Sequence, residues 1–106
     1  MRALLEAALR EGRRPGYAEL AETLELPPPR IRRLAALLEA TMAQDAAAGR
    51  PFLAALPAAR LGGGLPAPGF FAAARALGRY AGPEAGPEAE AFHAAELARL
   101  RGSAGV

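Results

Sequence analysis

The sequence predicts a mainly helical α+β domain: a winged helix-turn-helix with a short Gly/Pro-rich β-hairpin wing and extra C-terminal helices. Three observations predict it. Apolar residues recur at helical spacing in three successive segments before Gly49, each separated from the next by turn residues. The stretch from Gly49 to Phe71, GRPFLAALPAARLGGGLPAPGFF, then breaks the pattern with Pro, Gly and Phe. Helical spacing returns afterwards and runs to about Arg101. A chain of 106 residues is one domain's worth. Its parts divide as helices over 1–48, a wing over 49–71, C-terminal helices over 72–101 and a tail over 102–106.

The first helix carries Leu4, Leu5, Ala8 and Leu9 on one face and stops at Gly12. Tyr17, Leu20, Ala21 and Leu24 give a short second helix, closed by Leu26-Pro27-Pro28-Pro29. A third helix starts near Pro28 and runs to about Ala48, with Ile31, Leu34, Ala35, Leu38 and Met42 as its core stripe. Arg33, Ala36, Leu37, Ala40 and Gln44 face away. In the wing, Phe52 to Arg60 and Leu65 to Phe71 flank a Gly62-Gly63-Gly64 turn, with Phe52 and at least one of Phe70 and Phe71 packed beneath. Propensity opposes regular strands there, because the pieces are Ala and Leu with Pro57, Pro66 and Pro68. A short helix over Phe70 to Leu77 and a last one from Pro87 complete the chain, the latter opening on Glu88 and Glu90 and closing on Arg99 and Arg101. Residues from Ser103 onward are expected to fray.

The chain has no cysteine, which excludes disulfides, thiolate metal sites and thiol nucleophiles. Glu6 and Arg10 interrupt the N-terminal apolar run, and no run approaches the ~20 residues of a membrane span. The expectation is a soluble cytoplasmic protein with no membrane contact. All 13 basic residues are Arg and the formal net charge is +2. Nine of those Arg and seven acids fall in residues 1–60, against four and four in 61–106. The excess is a weak electrostatic footprint for nucleic acid.

The residues Tyr17-Ala-Glu-Leu-Ala21, Gly49-Arg50-Pro51-Phe-Leu-Ala-Ala-Leu56 and Gly64-Leu-Pro66-Ala-Pro-Gly69-Phe-Phe71 resemble a bacterial family of small, mostly uncharacterised winged-helix proteins. The resemblance covers about Tyr17 to Gly78. It implies a strand after Gly-Arg-Pro and a Pro-rich second wing strand ending in Gly-Phe-Phe, although Leu56-Pro57-Ala58-Ala59 stands where a Val run is expected. The Tyr17 helix also looks like the corresponding helix of alkyltransferase-type DNA repair domains, without their Pro-Cys-His-Arg motif. No catalytic residues come with the resemblance.

The functional expectation is a non-enzymatic winged-helix DNA-binding or transcription-accessory protein acting as a homodimer. Arg30, Arg32 and Arg33 at the start of the third helix are the candidate base and phosphate contacts. Arg13, Arg14 and Arg60 are placed as further phosphate contacts from the first turn and the wing tip. Two-fold pairing through Phe92, Leu97 and Leu100 of the last helix, or cover of the first helix by that same face, accounts for its apolar side. The alternative is a protein-protein interaction module without DNA affinity, using Leu37 and the last helix. His93, with Glu96 one turn away, lacks a nucleophile or further ligands and reads as a packed residue; no cofactor or metal is expected.

Overall fold

The computed structural model describes residues 1–60 and 63–104 and is built of five helices. They are α1 (Arg2–Arg10), α2 (Tyr17–Thr23), α3 (Arg30–Ala47), α4 (Pro68–Ala76) and α5 (Pro87–Ala104), with one 3-10 turn, Leu53–Ala55. Three helices before Gly49, in the order α1 to α3, are as the periodicity predicts. α5 continues through Ala104, so the expected tail is helical at least that far; residues 105–106 lie outside the described part.

Helix ends follow one device. In α1, α3 and α4 the residue after the C-cap is a glycine at positive φ, and its N–H and that of the following residue return to carbonyls of the last turn. At the end of α2 the same position is Glu25, at φ 53°. Its N–H reaches Glu22 O and that of Leu26 reaches Ala21 O, so the turn into α3 is closed without glycine.

The fold is all-α among the described residues, and the β-hairpin wing is not formed. Among the described residues between 49 and 71 there is no strand. One isolated parallel bridge joins Gly16 to Ala58, and one backbone bond, Ala59 N–H to Leu65 O at 2.9 Å, crosses the loop. The strand that the family resemblance implies at Leu56 to Ala59 is likewise absent. The physical reason lies in the residues already suspect. Pro57, Pro66 and Pro68 have no N–H for a ladder, and Pro68 with its fixed φ instead opens α4. Leu61 and Gly62, at the expected hairpin tip, lie outside the described residues.

What the stretch does is pack. Phe52, Phe70 and Phe71 are all buried, as the sequence reading required. Phe70 meets Phe52 and Phe71 edge-on, with centroids 5.9 and 5.2 Å apart, and lies 6.1 Å from Phe92. The core joins these rings to Leu5, Leu20, Leu34, Leu38, Met42 and Leu56. Leu97 and Leu100 of α5 are buried in the same core, where α5 packs on α1. Leu97 and Leu100 are thereby covered within the chain, the second of the two accounts expected of that face, while Phe92 is partly buried. Two expected core residues of α3 are outside: Ile31 is 57% exposed and Ala35 is exposed too. Thr41 and Asp45 take up the buried stripe further along, because α3 rolls its C-terminal half onto the 3-10 turn.

Candidate functional site

Residues 52–57 run through the middle of the molecule outside any α-helix, and all six are buried. Such a segment leaves backbone groups that water cannot reach, and each needs a partner from elsewhere. Side chains provide them. Glu96 Oε2 accepts from Phe52 N–H at 2.8 Å, and Asp45 Oδ2 accepts from Leu53 N–H at 3.1 Å. His93 Nε2–H donates to Ala55 O at 2.8 Å. Arg14 Nε donates to Leu56 O at 2.8 Å. The opposite oxygen of Asp45 accepts from Arg2 Nη1 and Arg50 Nε, and Glu96 Oε1 accepts from Arg99. Arg79 lays its guanidinium 4.5 Å over the Phe52 ring.

This hub assigns structural work to several polar residues. Arg14, expected to reach phosphate, is committed to the carbonyls of Leu56 and Pro57, and burial lowers its pKa. Arg13 is exposed but bridged to Glu11 and Glu19. Arg30, Arg32, Arg33 and Arg60 are exposed. None of the three arginines at the head of α3 is in an ion pair among the described residues; Arg33 Nε touches Pro28 O at 3.4 Å. Asp45 escaped the sequence reading, although its position follows Leu34, Leu38, Thr41 and Met42 around the same helical face. A carboxylate continuing a buried stripe was the signal.

His93 is buried, and its pKa is held below the ordinary range, first by burial and further by the charges of Arg14 and Arg101, against the pull of Ala55 O. With Nε2–H given to Ala55, the Arg14 Nη2 atom 3.3 Å away is a second donor facing a donor and makes no hydrogen bond. The unfolded chain therefore takes up the proton first, and stability falls as pH drops through about 6.5. Urea unfolding between pH 7.5 and 5.5 should show this loss. His93→Gln retains an N–H for Ala55 O and should flatten the profile; identical profiles for the two proteins would show that His93 does not carry it.

The open surface lies on α3. An apolar depression of about 140 Å³ is bounded by Tyr17, Ile31, Ala35, Leu38, Met42 and Phe70. A second, shallower one is bounded by Ala72, Ala73, Ala76 and Leu77, and the two share Glu39 on their border. Both are lined from α3 and α4, with Glu39 common to them, and together they are called the α3–α4 groove. Its first wall is held by Tyr17, whose hydroxyl accepts from Ala67 N–H at 2.8 Å and whose pKa is raised by burial. A cleft beside Arg2, Arg10 and Arg50 is larger and more polar than the first depression, but Arg2 and Arg50 already serve Asp45.

Among the described residues no three His, Asp or Glu side chains converge as metal ligands, and no helix is long and apolar enough to cross a membrane. Compared with protein-family models, curated proteins and solved structures, the chain matches none.

Proposed function

We propose that the chain is a non-enzymatic protein-interaction module that receives a helix of its partner in the groove between α3 and α4. One observation carries the reading. Ile31, 57% exposed, and Leu77, 37% exposed, border the two adjoining depressions, and most of the lining between them is apolar. Covering what remains open of each contributes about 1 kcal/mol, so useful affinity needs both, together with the small alanines that let a helix approach closely. Leu37, 38% exposed, lies outside this lining, and Leu97 and Leu100 of the last helix are buried.

Duplex DNA remains the second reading, favoured by Arg30, Arg32 and Arg33 standing exposed at the head of α3. It is weakened by the commitments of Arg13 and Arg14 and by the loss of the wing. With Arg30, Arg32, Arg33 and Arg60 as the phosphate contacts, the log–log salt slope would be about 3.6 in magnitude. One two-armed experiment separates the readings. A photo-crosslinking residue at Ala35, irradiated in intact cells, should capture a protein, and Ile31→Asp should suppress the adduct. Fluorescence anisotropy on a random duplex should show no binding removed jointly by salt and by Arg30→Ala, Arg32→Ala and Arg33→Ala. An absent adduct with salt-sensitive binding lost in the triple variant would transfer the function to DNA.

A further inference from the structure

We infer that the helix seated in this groove is α3 of a second copy of the chain, packed antiparallel about a two-fold axis beside Ala35. The inference rests on the groove reading and names its occupant. Glu39 stands at the border of the two depressions, exposed, and no ion pair engages it among the described residues. A helix covering that groove must bring apolar side chains and, beside them, a cation for Glu39. The head of α3 presents that combination: Ile31, open to solvent, next to Arg32, which is likewise in no ion pair there.

The spacing makes the match reciprocal. Arg32 and Glu39 are seven residues apart, which is nearly two whole turns, so both lie on one side of α3 about 10 Å from each other. In an antiparallel pair centred beside Ala35, Arg32 of each copy faces Glu39 of the other. Ala35 and Ala36 meet near the axis, where small side chains allow close approach. Ile31 of each copy then lies over the region of Leu38, Glu39 and Met42 in its neighbour. A two-fold contact contains each pair twice, so any favourable or unfavourable charge meeting is doubled.

The contact is modest. The stretch from Ile31 to Met42 is about 18 Å of a helix 10–12 Å across, well below the ~800 Å² per partner of a standard interface even with the α4 rim added. A dimer in the micromolar range, dependent on concentration, is therefore expected.

Light scattering after size exclusion, on the full chain over a dilution series, tests this. The wild type should pass from one chain mass to two as concentration rises. Arg32→Glu and Glu39→Arg should each weaken the dimer about tenfold or more, since each sets like charges opposite one another twice. The exchange carrying both substitutions should restore it. Both residues are exposed and outside the core, and circular dichroism confirms the fold of each variant. A single-chain mass at every concentration, a dimer indifferent to all variants, or failure of the double exchange to recover association would overturn the inference. If it falls while the Ala35 crosslink captures a different protein, the groove reading stands with another occupant; if no adduct forms either, both fall.

Discussion

Replacing Asp45 by Ala is expected to destabilise the fold by about 2–4 kcal/mol, mostly from a buried donor left unpaired and in part from the loss of charge-assisted bonds. Its side chain is fully buried and receives Arg2, Arg50 and the Leu53 N–H. The two arginines are partly exposed and can turn to water, so their loss is the smaller share. The Leu53 N–H cannot, and a buried donor left alone costs about 1–3 kcal/mol by itself. Asp45→Asn keeps the shape but converts one acceptor into a donor. It should recover only part of the loss. Urea unfolding monitored by far-UV circular dichroism measures both, and an Asp45→Ala midpoint within error of wild type would show that Leu53 finds another acceptor.

Phe52→Ala should have a comparable effect, about 3–5 kcal/mol. Phe52 is fully buried, meets Phe70 edge-on and carries the Arg79 guanidinium on its face. Its removal leaves a cavity whose walls include residues already held by the hub, so collapse into the space is limited. It also uncovers Arg79, whose Nη1 is buried without a hydrogen-bond partner and sits 3.9 Å from Glu96. Phe52→Leu fills most of the volume and should lose roughly half as much. Equal midpoints for Phe52→Ala and wild type would place the ring outside the cooperative core.

The helices were legible because each carries its own signal: a 3.6-residue stripe, a Gly after the last turn, or acids first and arginines last. The connection from Gly49 to Phe71 was not, because its conformation answers to partners far away in sequence. Pro57 and Pro66 spoke against strands, yet nothing local says that Glu96, His93 and Arg14 will supply the bonds a strand partner would have given. The site was half legible. Arg30, Arg32 and Arg33 are exposed as expected, whereas Arg14 was misread because a buried guanidinium and a surface one look alike in sequence. Ile31 was misread in the opposite direction. Its place on the apolar stripe of α3 predicts burial, and only the packing shows that Leu34, Leu38 and Met42 of that stripe are covered while Ile31 and Ala35 stay open.

The central segment also bears on the order of events when the chain folds. Arg14, His93 and Glu96 reach residues 52–56 across sequence separations of 42, 38 and 44. Bonds of that span reward the chain only after long loops have closed, so the entropy of closure precedes most of the gain. Local helices can flicker early, but the threaded segment is fixed last, when α1, α3 and α5 have come together around it. In reverse, withdrawing one helix orphans a donor or acceptor held by the others. The chain should therefore come apart in a single step rather than by peeling from an end.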